Sequence, residues 1–239
     1  MGVAAAGSFA RAEVDRHSDL DLVIAVEPDT LDAVLHERQA IARSLGPLLA
    51  SFVGEHVGEM RLLICLYGPP LLHVDLKFLA LPDAGHRVDE NAVLFDRAGR
   101  LARVLDASAP AYPAPQPQWI EDRFWTWVHY LAAKLARGEV FEVLDGLGFL
   151  RARVFGPLLL AARGAQPNGV RRLEERAPEC VERLGATVAL HDPGDCARAV
   201  RAAIELYREL RAAAPPGLAC GADAEAAAVA FFEEVADAL

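Results

Sequence analysis

Two aspartates bracket the first residue of an apolar run: Ser18-Asp19-Leu20-Asp21-Leu22 leads into Val23-Ile24-Ala25-Val26, and Glu27-Pro28-Asp29 closes it. The β-branched content and polar flanks predict a buried strand over residues 20–26. Side chains at i and i+2 on a strand share a face, so Asp19 and Asp21 point the same way, about 7 Å apart at about 3.3 Å per residue. Two such anions repel unless a cation lies between them. A second apolar run, residues 71–79, carries Asp75 and Lys77, again two apart on one face. A carboxylate delivered from that neighbouring strand would complete an oxygen site suited to Mg²⁺, which takes one or two protein carboxylates plus waters and substrate phosphates. Two plainer arrangements stay open: Asp19 and Asp21 as acids at a strand end, and Asp75 as an ion-pair partner of Arg61 or Lys77. An unpaired buried carboxylate would cost several kcal/mol, so some cation is needed in either case.

Upstream, a short apolar segment runs from Val3 to Ala6 into Gly7-Ser8. Glycine lets backbone approach a phosphate closely, and the serine hydroxyl and N–H can bind its oxygens. A Gly-Ser pair alone carries little information, and an ordinary turn would look the same. Together with Arg11, the paired aspartates and the later Asp75, it defines a nucleotide-handling pattern.

That pattern, Gly7-Ser8-Phe9-Ala10-Arg11-Ala12, then Ser18-Asp19-Leu20-Asp21-Leu22, then Val74-Asp75-Leu76, resembles the nucleotidyltransferase superfamily that includes DNA polymerase beta. The nearest branch is that of the bacterial aminoglycoside and lincosamide nucleotidyltransferases. Motif resemblance covers about the first hundred residues; beyond them it is architectural. Ala12 stands where the family usually has glycine, and only six residues precede Gly7, where the family places a helix and a whole strand. Either the start of the chain is truncated or misassigned, or the first strand is reduced to a stub.

The resemblance implies an α+β fold: a small mixed β-sheet nucleotidyltransferase domain (residues 1–106), a proline-rich linker (107–118) and an α-helical acceptor-binding bundle (119–239). It implies transfer of a nucleoside monophosphate, AMP from ATP above all, to a hydroxyl of a small molecule such as an aminoglycoside or lincosamide. Asp19, Asp21 and Asp75 become ligands of two Mg²⁺ ions. Gly7, Ser8, Arg11, Ser18 and Lys77 become nucleotide-binding residues, with Lys77 equally placed to partner Asp75. Candidates for the general base are Asp75 itself and, from the helical half, Glu139 and Glu142, with Glu121 a further acid there. Two other functions stay open: a nucleotide- or partner-binding module without catalysis, and an antitoxin that modifies a cognate toxin.

Composition sets limits on this picture. Hydrophobic residues make up 53% of the 239, but much of that is alanine, and no apolar stretch approaches the roughly 18 residues of a membrane span. The first residues lack the basic start and long apolar segment of a secretory signal. Four cysteines, Cys65, Cys180, Cys196 and Cys220, show no metal-ligand spacing and read as reduced thiols of a cytoplasmic protein. A net charge of −10 argues against nucleic acid as a partner, since long polyanions are held through Lys and Arg. It leaves room for a single nucleotide neutralised by metal. Homodimer formation stays open.

Along the chain, apolar spacing predicts a helix from residue 31 to residue 52, ended by a turn at 54–58. Strands at 61–67 and 71–79 follow, joined by Gly68-Pro69-Pro70. A weaker hairpin, 92–95 with 101–105, is expected across Asp96-Arg97-Ala98-Gly99. Beyond the prolines of 107–118 the pattern is helical: 119–137, 140–163, 170–184, 196–213 and 222–239. Trp119, Trp125 and Trp127 are expected as helix core, with an aromatic wall for a base or sugar as the alternative. His17 beside the motif and His73 two before Asp75 could approach the site, with a loop or strand structural role the expectation.

Overall fold

A computed structural model describes residues 1–214 and 216–239, and the chain divides into two compact units, Met1–Tyr112 and Pro113–Leu239. The first unit is built on a six-stranded mixed sheet. Its strands are β1 (Gly2–Ala5), β2 (Leu20–Val26), β3 (Leu48–Gly54), β4 (Glu59–Tyr67), β5 (Leu72–Ala80) and β6 (Ala92–Asp96), in spatial order β3-β4-β5-β2-β1-β6. Helices α1 (Gly7–Ala10), α2 (Leu31–Leu45) and α3 (Arg100–Asp106) lie between them in sequence. Only β2 and β5 pair in parallel; the other neighbours are antiparallel.

Strand alternation sorts the side chains onto two faces. Even-numbered Leu20, Leu22 and Ile24 of β2 join Val74, Leu76 and Phe78 of β5 and Leu63 and Cys65 of β4 in a core capped by α2, through Leu31, Val34, Leu35, Ile41 and Ala42. Tyr67 donates its hydroxyl hydrogen to the Ala42 carbonyl at 2.8 Å, tying sheet to helix. Odd-numbered Val23 and Ala25 face the other way, with Ala4 and Leu79, against Leu101, Val104 and Leu105 of α3. Asp21 and Asp75 have this second parity. β1 is four residues long, yet it is paired on both edges, to β2 and to β6.

Three expected elements differ. The helix from residue 31 stops at Leu45, not at Phe52, and residues 48–54 form β3. Pro47 cannot donate to a helical ladder and disfavours helical backbone at Gly46, so the apolar spacing that runs on through Leu48, Leu49 and Phe52 belongs to a strand. The expected second hairpin is a strand followed by a helix. β6 pairs with β1, and the Asp96 carboxylate accepts from the N–H groups of Leu101 (3.0 Å) and Ala102 (2.9 Å), capping α3 where a return strand had been expected. In the second unit the stretch 170–184 is two short helices, α7 (Leu173–Arg176) and α8 (Val181–Gly185), separated at Pro178.

The second unit is helical throughout. Its longer members are α4 (Pro117–Ala136), α5 (Val140–Leu150), α9 (Pro193–Ala212) and α10 (Ala222–Asp237), with α6 (Gly156–Ala161) continuing α5 through a widened turn at Arg151–Phe155. Phe124, Leu131, Leu147, Phe155, Val200, Ile204 and Phe232 are among its fully buried residues. No helix among the described residues is long and apolar enough to cross a membrane.

One charge is buried in that core. Glu121 accepts from the Tyr207 hydroxyl (2.6 Å), Trp125 Nε1 (3.1 Å), the Gly221 N–H (3.0 Å) and the Arg211 guanidinium (3.2 Å). Burial pushes its carboxyl up, but these donors together hold it below its ordinary value. Glu121 is thus a structural hub, and its oxygens are already engaged. Removing it strands the buried Tyr207 hydroxyl and Trp125 Nε1 and leaves Arg211 with Glu225 alone, so Glu121→Ala should cost about 3 kcal/mol in chemical denaturation. The group's pKa is lowered on folding, so its contribution is complete above the ordinary glutamate value of 4.5 and is lost as pH falls below it. The stability gap between wild type and Glu121→Gln should therefore narrow in acid.

Candidate active site

The central parallel pair brings the acids together. β2 and β5 are in register with Asp21 opposite Asp75, so both carboxylates leave adjacent strands on the same face. Strand spacing alone sets their Cα atoms about 4.8 Å apart. Asp19 lies one residue before β2 and near enough that its charge, after burial, pushes the Asp75 carboxyl up from its ordinary range; His73 pulls it back only in part. The His73 ring nitrogen Nε2 lies 2.9 Å from Asp75 Oδ1, the two side chains being two apart on β5. The histidine, expected to be structural, is the group in contact with the third acid. Its i, i+2 spacing was the signal.

Gly7 stands against the same carboxylates. The Ala6 N–H donates to the Asp21 carbonyl at 2.9 Å, extending the β1–β2 ladder, and Gly7 then turns with φ +59° into α1. A Cβ at Gly7 would collide with Asp21 Oδ2. Glycine is thus required twice here, for its backbone conformation and for the missing side chain. The Ser8 Oγ that follows is buried and has no hydrogen-bond partner among the described residues. Such a hydroxyl costs about 1–3 kcal/mol, a cost that a ligand oxygen would remove.

The cationic candidates are engaged elsewhere. Arg11 pairs with Glu13 (3.1 Å) and with Asp89. Lys77 pairs with Glu59 at 3.0 Å, and Asp75 takes His73 as its partner. Arg61, with Lys77 beside it, holds the Glu59 carboxyl down to about 2, and also reaches Asp83 at 3.3 Å. Ser18 bonds within its own turn, accepting from the Asp15 N–H at 2.9 Å.

In the helical unit, Glu139 is paired with Lys134 at 2.6 Å, which holds its carboxyl below the usual range, and Glu142 accepts from the Tyr130 hydroxyl at 2.8 Å. Trp125 is core, as expected. Trp127 packs against that core, partly buried, with Phe149 against it; Trp119 is exposed, its ring centre 5.7 Å from that of Trp127 and Arg123 over its face.

Asp21 and Asp75 offer carboxylate oxygens, the donor type that Mg²⁺ takes. Among the described residues no group of three or more His, Cys, Asp or Glu side chains is placed to hold a metal ion. Asp21 and Asp75 instead form a two-carboxylate edge, with His73 on Asp75 and the orphaned Ser8 hydroxyl and the Gly7 turn beside Asp21. Mg²⁺ uses such edges, keeping most of its shell for water and substrate phosphate.

No family model matches the chain, and comparison with curated proteins gives no match. Among solved structures, it is similar to the crystal structure of an aminoglycoside 6-adenyltransferase from Bacillus subtilis, with a TM-score of 0.47 and 15% sequence identity, over 98% of this chain and 91% of that one.

Two stability effects follow from this geometry. Burial and Asp19 raise the Asp75 carboxyl on folding, so its charge opposes folding at neutral pH and the cost fades as pH falls through the folded value. Asp75→Asn should therefore raise the melting temperature in metal-free buffer by about 2–4 °C. Ala12, at φ +57°, carries a Cβ in left-handed backbone. Ala12→Gly should raise the melting temperature slightly, by about 1–2 °C, since relief of strain of about 1–2 kcal/mol exceeds the added chain entropy.

Proposed function

We propose that the protein is a Mg²⁺-dependent nucleotidyltransferase that moves a nucleoside monophosphate, AMP from ATP, to a hydroxyl of a small acceptor and releases pyrophosphate. The observation that carries this is the Asp21–Asp75 register pair, locked against Gly7 and followed by the unsatisfied Ser8 hydroxyl. Asp19, Asp21 and Asp75 would hold two Mg²⁺ ions. When bound, these ions lower the acceptor's pKa and offset charge on the phosphates.

The chain's own groups account for the remaining needs. Gly7 leaves space for a phosphate to approach the backbone, and the Ser8 Oγ–H donates to an oxygen of the departing pyrophosphate. Asp75 is the base: its carboxylate, raised by burial and oriented by His73, takes the acceptor's proton. The acceptor oxygen then bonds to the α-phosphorus as the bond to the β-phosphate oxygen breaks. Glu139 is a weaker candidate, because Lys134 already stabilises its charged form.

Incubation with ATP, Mg²⁺ and an acceptor panel, read as pyrophosphate release and as a mass gain of one AMP on the acceptor, tests the reaction. Asp21→Asn should lose at least about a thousandfold in turnover. Mg²⁺ with a non-hydrolysable ATP analogue should raise the melting temperature of wild type but not of Asp21→Asn. Nucleotide binding without pyrophosphate release would instead make the chain a binding module.

A further inference from the structure

The line of side chains that holds the carboxylates continues across the sheet. β5 pairs with β4 at Asp75–Ile64, and β4 with β3 at Ile64–Phe52. Phe52, Ile64, Asp75 and Asp21 therefore form one cross-strand row on a single face. At about 4.8 Å per strand, Ile64 lies about 5 Å and Phe52 about 10 Å from Asp75. Gly7 and Ser8 stand at the opposite end of the row, beyond Asp21. Adjacent rows on the same face place Leu62 beside Lys77, and Ala50 and Leu66 beside His73. Phe52 lies on the edge strand with its ring 49% exposed and His56 against it at 5.7 Å.

The two ends of the row differ in chemistry. One offers a glycine turn and a hydroxyl, suited to phosphate oxygens. The other, Ala50, Phe52, Leu62, Ile64 and Leu66, carries no formal charge. Asp75 borders this stretch at Ile64 and the Lys77–Glu59 pair borders it at Leu62, while an aromatic or CH-rich ring face would cover the apolar surface between.

We infer that Phe52 and Ile64 form the acceptor platform: the acceptor is an uncharged hydroxylated molecule that lays an apolar or aromatic face on Phe52 while its reacting hydroxyl reaches Asp75. This rests on the transfer reaction proposed above. It assigns the ring to specificity: Phe52 binds the acceptor before and during reaction alike, so its loss raises KM and leaves kcat unchanged.

The test uses the full chain and direct binding, measured by titration calorimetry and ligand-observed NMR. Phenyl β-D-glucoside serves as a neutral aromatic probe and kanamycin as a polycationic one. Phenyl β-D-glucoside should bind wild type, lose about tenfold in affinity with Phe52→Ala, and lose no more than about threefold with Phe52→Leu, which keeps apolar surface. Phe141→Ala, a change of a 73% exposed ring in the helical unit, should leave it unaltered. Circular dichroism should show both Phe52 variants folded, as the ring is half exposed at a sheet edge. Equal affinity for wild type and both Phe52 variants, no binding of the phenyl glucoside to wild type, or tighter binding of kanamycin would overturn the inference. Failure of the transferase assignment would appear separately, as ATP that is never converted to pyrophosphate with any acceptor while these binding results stand.

Discussion

The parallel pairing of β2 with β5 governs both halves of the first unit's chemistry. In register, it stacks Leu20, Leu22 and Ile24 beside Val74, Leu76 and Phe78 under α2, and by the same alternation sets Asp21 against Asp75 on the opposite face. A slip of one residue would exchange these faces. Carboxylates would enter the α2 core, at several kcal/mol each, while leucines would lose their burial. Hydrophobic patterning therefore specifies the acid pair without any direct interaction between the acids favouring it. The carboxylates are held together by the energy of the apolar core beneath them.

Holding them so creates electrostatic tension. Burial, with a smaller push from Asp19, raises the Asp75 carboxyl, and His73 offsets part of this. Lys77, two residues on, turns to Glu59. That carboxylate in turn binds Arg61, which reaches Asp83, so the cations of β4 and β5 are consumed in a chain of ion pairs. Arg11 is likewise taken by Glu13 and Asp89. A fold selected only for stability would let Lys77 meet Asp75. Asp75 is left to His73 instead.

Much of this was legible because alternation is local. The strand over 20–26, the shared face of Asp75 and Lys77, and the α+β division follow from residues two to four apart. The stop of α2 was equally local: Gly46-Pro47 interrupts it, but the apolar spacing continues by coincidence into β3 and masks the break. What was not legible depends on distance in sequence. The strand at 92–95 was expected, but its partner, β1, was not, and residues 100–106 are a helix because Asp96 caps their free N–H groups. The partners of Arg11, Lys77 and Glu121 lie up to 100 residues away, and no periodicity encodes them. Glu121 shows this most plainly: as a sequence it is one more helix acid, and only the convergence of α4, α9 and the residues before α10 makes it a buried anion with four donors.

β1 is paired along both edges, to β2 and to β6, so its N–H and C=O groups join a ladder on each side, and Ala4 and Ala5 are buried without large side chains. Small residues let α3 sit close over Gly2, where a Cβ would strike Leu101 and the Phe95 carbonyl. The strand then delivers Gly7 at a fixed height against Asp21, since Ala6 is still bonded to the Asp21 carbonyl. The glycine turn is thus positioned by the same ladder that positions the acid. The two parts of the proposed phosphate and metal site share one backbone reference, and a change in β1 pairing would shift Gly7 and Asp21 relative to each other before it disturbed the core under α2.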